Sequence, residues 1–273
     1  MAYLGSLGAL VDVGCSAAVD LGAGRPARDV VTLGGRVSTQ VGPRVRREWG
    51  LRLPRVSTPA QIANIQAFVH GEFGRGPWVF VSEIAMTTNM VTPQGSVFED
   101  LGTPQGGTSA NGGPLVLSDG RRSGRSLVVE SPSTQVFLPR VDGVYEYVPV
   151  ISGQRVSGSI WAQGSSPRLR MRFYDASLSL LSTVTGSPAV GAGPQVLTVE
   201  GAIVPEGAVA VLLVVDGVSR VARPSISWTS RAQGWAIGDG APMVHVAEVS
   251  QAPELLLDAR QYIDASFVVR EVG

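Results

Sequence analysis

Lysine is missing from this chain: all 22 basic residues are arginine, and 22 carboxylates balance them to a formal net charge of zero. A neutral chain has no general electrostatic attraction to nucleic acid or to an anionic membrane, so neither specific nucleic-acid binding nor membrane association is expected. The complete arginine bias fits a GC-rich coding composition. Cysteine is nearly absent as well. Cys15 stands alone, which excludes an intrachain disulfide, and with no CxxC or histidine-rich setting around it Cys15 reads as a small buried residue. The two histidines, His70 and His245, have no ligand-type partner three or four positions away, so no metal is expected. The longest apolar stretch, 208–215, falls far short of the ~20 residues that a spanning helix needs. The start, Met1-Ala2-Tyr3-Leu4-Gly5, has no positive region and makes a poor signal peptide, so synthesis in a cytoplasm is expected.

Catalytic patterns are missing too. There is no GxSxG, P-loop or dinucleotide fingerprint, and Gly74-Arg75-Gly76 lacks the spacing that would follow one. Glycoside hydrolysis needs two carboxylates held across a cleft. Asp175, Glu200, Asp216, Asp239 and Glu248 do not pair from sequence and read mostly as turn acids. The usual clustering of acids around calcium is absent as well. No enzyme activity and no cofactor are expected.

What is present favours strands. Hydrophobic residues make up 44% of the chain, ample for real cores, and 34 glycines and 18 prolines punctuate short β-branched runs. The most informative segment is 44–93. Val45, Arg47, Trp49, Leu51 and Leu53 alternate with Arg44, Arg46, Glu48 and Arg52, which predicts a strand with one charged face. Thr58 in the N-cap position, Pro59 at the first helical position and Gln61 three residues after the cap predict a helix. Ile62, Ile65 and Val69 would form its apolar stripe with Phe68 alongside, and Gly71 would end it. Gly74, Gly76 and Pro77 then turn the chain into Trp78-Val79-Phe80-Val81, an apolar strand expected to be buried on both faces.

These elements, with the exit Thr88-Asn89-Met90-Val91-Thr92-Pro93 and the final stretch 265–273, resemble minor tail proteins of long-tailed phages of actinobacteria, especially the distal tail protein that joins the tube to the tip. The resemblance covers roughly the first third and the last tenth of the chain, and its motifs are packing signatures. It implies a ring of six copies in the virion tail, in contact with the tail tube protein and other tail-tip proteins. Arg44, Arg46 and Arg52 would then face a subunit contact or the lumen of the ring.

Composition shifts beyond Pro93. A loop dense in Gly, Thr, Pro, Asn and Ser covers 102–120. Strands are predicted at 126–130, 145–150, 155–162, 168–174, 195–199 and 209–215, each bounded by turn chemistry, and such a series implies a β-sandwich. The order of a Pro-Val strand, a Ser152-Gly153-Gln154 turn, the strand carrying Trp161, the Arg-rich strand ending Phe173-Tyr174-Asp175, and the 204–208 turn resembles a jelly-roll carbohydrate-binding module over about 97–235. A sugar site stacks aromatic faces on pyranose CH groups and hydrogen-bonds the hydroxyls. Tyr145, Tyr147, Trp161, Tyr174 and Trp235 are the candidates, with Trp228 beside them; core filling is the competing reading for Trp161 and Tyr174. Arg168, Arg170 and Arg172 alternate with apolar residues and read either as a cationic stripe for an acidic or phosphate-bearing partner or as one solvated strand face.

The sequence therefore predicts a mainly β protein. A β-sandwich or barrel ring domain with one α-helix spans 1–95 and is completed by 249–273, and an inserted jelly roll spans 97–248. The expected function is that of a structural virion protein, an oligomeric ring at the tail tip whose jelly roll binds host cell-wall polysaccharide. A carbohydrate-binding adhesin without a ring role is the alternative, and a cell-wall glycan hydrolase stands behind both.

Overall fold

A computed structural model of the 273-residue chain describes residues 1–14, 19–24, 27–31, 35, 37–41, 46–53, 59–98, 108–109, 112–130, 135–138, 140–141, 144–187, 189, 191, 193–257 and 260–272. In chain order the elements begin with β1 (Ala2–Ser6), β2 (Ala9–Gly14), β3 (Val19–Gly24), β4 (Ala27–Val31), β5 (Val37–Val41) and β6 (Arg46–Arg52). Next come α1 (Pro59–His70), β7 (Trp78–Val81), α2 (Glu83–Thr87), α3 (Pro93–Val97), β8 (Thr108–Ser109), β9 (Leu127–Val129) and β10 (Val136–Leu138). Then follow β11 (Arg140–Val141), β12 (Val144–Tyr145), β13 (Val148–Pro149), β14 (Arg155–Gln163), β15 (Arg168–Tyr174) and β16 (Leu180–Thr185). The chain finishes with β17 (Gln195–Ile203), β18 (Ala210–Asp216), β19 (Arg220–Ser227), β20 (Ala241–Leu257) and β21 (Arg260–Glu271).

The chain divides into two compact units. The first is Met1–Gly5, Val11–Phe80 and Met243–Gly273; the second is Ser6–Leu10 and Val81–Pro242.

The first unit is organised by a seven-stranded sheet in the order β2-β1-β7-β20-β21-β6-β3, left open with β2 and β3 at its edges. β21 pairs antiparallel with β6, setting Phe267 opposite Leu51 and Val269 opposite Trp49. These apolar residues, with Leu4, Phe80 and Val244, are buried, and the Trp49 and Phe80 rings meet at 5.3 Å. α1 covers the predicted range, although its predicted cap Thr58 lies outside the described residues. Its buried stripe differs from the expected one. Ile65, Ala67 and Phe68 are inside and Val69 is 49% exposed, because Phe68 stacks edge-on against Trp78 at 5.2 Å and so sets the rotation of the helix.

The strand β6 alternates as the sequence predicts, and the alternation puts an arginine on the buried side. Arg47 is 5% exposed and lies over the Trp49 ring at 4.8 Å. Its Nε and Nη2 donate to both oxygens of Glu271 at 3.0 and 2.8 Å, a bidentate pair that ties β6 to the end of β21. Arg46 and Arg52 occupy the exposed positions of the same strand, and Arg44 lies outside the described residues.

The second unit is a two-sheet β-sandwich. One sheet runs β10-β18-β15-β16 with β13 also on β18, and the other runs β17-β14-β19-β9-β8. A Cβ on Gly158 of β14 would meet Leu213 at 2.7 Å and Met171 at 3.5 Å, so the two sheets face each other there. Leu169, Met171 and Phe173 of β15 fill the interior at no more than 1% exposure. Two short helices join the single predicted one. Ser82 caps α2 by accepting from Ala85 N at 3.0 Å, and Thr92 caps α3 by accepting from Gly95 N at 3.1 Å. Both caps were hidden in the sequence by the brevity of the helices they start. Among the described residues no helix is long and apolar enough to cross a membrane.

Because both members of the pair are largely buried, removing either one strands the charge of the other. Arg47→Ala should destabilise the protein by about 3–5 kcal/mol in urea unfolding, while the paired replacement Arg47→Met with Glu271→Leu should cost much less than either single change. A single-mutant cost below about 1 kcal/mol would show that the pair is solvated like a surface bridge.

Candidate functional site

The site starts from an irregularity in β19. Opposite β14, Ser225 pairs with Ser159 and Ala222 with Trp161, so Arg223 and Pro224 together oppose the single residue Ile160. This is a β-bulge, and its first residue, Arg223, has φ of +54°. A left-handed conformation at that place in a bulge is ordinarily glycine's, and a side chain there costs on the order of 1–3 kcal/mol. The following proline also disfavours helical backbone at Arg223.

The bulge aims Arg223 across the outer face of the sheet. Gly158 and Ile160 point into the sandwich, so Trp161 lies on the opposite side of β14. The Arg223 guanidinium is 4.2 Å from the Trp161 ring centroid and 4.3 Å from that of Trp235, forming a Trp-Arg-Trp stack. Arg121 approaches Trp161 as well, at 5.6 Å. Trp161 is only 3% exposed, yet what covers it is arginine. It is neither a sandwich-core residue nor an open stacking platform. Burial, and then the positive charge of Arg121, lower the pKa of Arg223 from its ordinary value. Arg121 in turn holds Asp119 at 2.6 Å.

Beside this stack lies a cleft of about 400 Å³ lined by Ser96, Val97, Gly124, Arg125, Arg223 and Trp235. One wall comes from α3 and the other from the 235–240 loop, and a buried amide joins them. Asn89 is fully buried, and its Nδ2 donates to Pro224 O at 3.2 Å and to Ala236 O at 3.0 Å. Its Oδ1 accepts from Val91 N and Ile226 N, both at 3.2 Å. The loop also runs against 90–96 at backbone distance. A Cβ on Gly238 or Gly240 would come within 1.9 Å of Val91 O or 2.0 Å of Met90 O, Gly238 N donates to Ser96 Oγ at 2.9 Å, and Ser82 Oγ donates to Asp239 Oδ2 at 2.7 Å. Residues 81–95, which the sequence reading places with the ring domain, belong to the second unit and lead into Ser96 and Val97 of its cleft.

The predicted aromatics fall into two groups. Trp161 and Trp235 meet at Arg223. Tyr145, Tyr147 and Tyr174 gather on the outer side of the other sheet, where Tyr147 meets Tyr174 edge-on at 5.3 Å and Tyr145 meets Phe137 at 5.3 Å. Arg172 lies over Phe137 at 5.1 Å and donates to Gln135 Oε1 at 3.1 Å, while Arg170 pairs with Asp216 at 2.7 Å. Tyr174 is 8% exposed and Tyr145 is 39% exposed, so the tyrosine group is in part packing and in part surface. Trp228 is turned away, its Nε1 donating to Pro149 O at 3.2 Å. Sequence reasoning missed Arg223, Asn89 and the whole of β19. The signal was Pro224 in the middle of an otherwise strand-like run, which marks a bulge when the strand is central.

No protein-family model matches this chain, and no curated protein matches it. Among solved structures, 51% of the chain is similar to 21% of the enzymatically active domain of tailspike protein 4 from bacteriophage CBA120, at 16% identity and a TM-score of 0.35. The chain thus spans about a fifth of that domain's length. Another similarity is to the Dit protein of phage SPP1, described as a hub adsorption apparatus in phages infecting Gram-positive bacteria, with 81% of this chain and 99% of that one covered at 11% identity and a TM-score of 0.18. Both scores are too low to establish a shared fold.

Asn89→Asp preserves shape but removes both donors, setting a carboxylate against two carbonyls. It should cost about 2 kcal/mol or more in chemical unfolding; a loss within about 0.5 kcal/mol would mean the amide is not the brace described. Burial raises the pKa of Tyr174 in the folded protein, the Arg172 charge opposing it. A raised folded value stabilises the fold below the unfolded pKa, near ~10, and that stabilisation is lost as pH rises through the folded value. Melting temperature should therefore fall less steeply above pH ~10 in Tyr174→Phe than in the parent, and identical slopes would refute the burial effect.

Proposed function

We propose that this chain is a structural component of a phage tail tip. In this reading its first unit assembles into a ring on the tube, six copies by the resemblance, and its second unit binds host cell-wall polysaccharide without cleaving it. The observation that carries the binding half is the Trp161-Arg223-Trp235 stack beside an open cleft, where an indole edge and guanidinium donors meet in a volume suited to a small ligand. Among the described residues the cleft's lining holds no carboxylate, whereas glycoside hydrolysis needs two. Support for the ring half comes from the resemblance of 44–93 and of the closing strand, and from the exposed positions of Arg46 and Arg52 on β6.

Native mass spectrometry of the protein, alone and with the tube protein, should show closed oligomers, with six copies expected. Trp235→Ala should lower retention on host cell-wall polysaccharide with little change in melting temperature, since loss of an aromatic contact is worth on the order of 1–3 kcal/mol. A strict monomer that still binds polysaccharide would replace the ring with an adhesin. Oligomers that bind no polysaccharide would leave only the ring.

A further inference from the structure

We propose that the cleft beside Arg223 is a subsite for an anionic sugar, a pyranose carrying a carboxylate or a phosphate ester. The proposal rests on the glycan-binding reading above and adds the charge of the ligand.

Three arginines converge on the place: Arg125 and Arg223 line the cleft, and Arg121 shares the Trp161 ring with Arg223. Arg121 is engaged by Asp119. Among the described residues Arg223 makes no ion pair. Its Nη2 donates to the Arg122 carbonyl, its Nε is buried without a partner, and Nη1 bonds to none of the described residues. The Nε1 of Trp235 is likewise buried without a partner. Among the described residues this half-buried cation is held by two indoles and by no carboxylate, and burial, then the charge of Arg121, lower its pKa.

Backbone geometry points the same way. Arg223 occupies a left-handed position, before a proline, that glycine would occupy without strain. Folding alone would favour glycine there, so the arginine side chain is what the strain supports. A guanidinium suits an oxyanion better than it suits a hydroxyl, because its paired N–H groups match two oxygens at once. Stacking between Trp161 and Trp235 fixes the plane of that fork before any ligand arrives, and the indole of Trp235 supplies an apolar wall for the CH face of a ring. A volume of about 400 Å³ lies toward the small end of ligand sites and suits one sugar unit rather than a long chain.

The test uses the full chain and four probes, namely glucuronate, glucose 6-phosphate, glucose and inorganic phosphate, titrated by ligand-observed NMR and calorimetry. At least one charged sugar should bind tighter than glucose and tighter than inorganic phosphate, by tenfold or more in order of magnitude for a charge-assisted contact. Preference between glucuronate and glucose 6-phosphate names the source of the anion. Arg223→Gly should abolish that preference while lowering the melting temperature by no more than about 3 °C, since it relieves the backbone. Arg223→Lys, which keeps charge without the fork, should retain only part of it and covers the case in which the glycine variant fails to fold. Equal binding of glucose and the charged sugars, unchanged in both variants, would overturn the anionic subsite while leaving polysaccharide retention intact. Binding of inorganic phosphate as tight as that of glucose 6-phosphate would overturn the sugar. No binding by any probe would overturn the subsite, with retention on whole polysaccharide then deciding the broader reading separately.

Discussion

The cleft of the second unit depends on one buried amide. Asn89 satisfies both donors and both acceptor positions with four backbone groups from three different segments: its own exit toward α3, the bulged strand β19 and the loop that carries Trp235. A group buried to this degree is costly unless every position is used, and here each one is. The same hydrogen bonds that satisfy the amide therefore fix where the bulge and the loop lie. Glycines 238 and 240 allow the loop to come to backbone distance of 90–92, and no other side chain would fit there.

On that scaffold the structure carries strain and charge together. Arg223 holds a left-handed backbone within a β-strand, faces another arginine, and roofs a tryptophan that a plain sandwich would cover with aliphatic residues. The first two features oppose stability while the contact with the indole favours it, and all three coincide at one residue on the rim of a cleft. The first unit treats a buried arginine differently. Arg47 lies over Trp49 in the same cation-aromatic manner but is matched bidentately by Glu271, which turns it into a clasp between the first unit's strand β6 and the chain's last strand. One arginine is matched by a carboxylate, and the other, among the described residues, is held by two indoles and a backbone carbonyl.

Much of the first unit was legible because its signals are local. The alternation of 45–53, the helix at 59–70 and the apolar strand 78–81 each follow from residues that are neighbours in sequence. The strands β14, β15 and β18 were readable for the same reason, their alternation or apolar runs being bounded by turn residues. The phase of α1 was not, since Val69 and Phe68 compete for the inward position and the choice falls to the Trp78 ring across the gap. The strand β19 was unreadable because its proline and its extra residue break the period that identifies strands.

By itself the sequence determined the chemistry on offer: a neutral, mainly β chain with no intrachain disulfide, few aromatics and arginine in place of lysine. Local periodicity and turn residues determined most of the strands, because they act over a few residues. Only the tertiary structure decided which of the candidates meet. Trp161 and Trp235 come together through Arg223, which no motif marked, while the tyrosines gather on the other sheet. Asn89, lying in what reads as an exit loop, became the brace of the cleft. Such meetings depend on strand register, bulges and loop closure between residues more than a hundred positions apart, as from Asn89 to Ile226, and no local pattern encodes them.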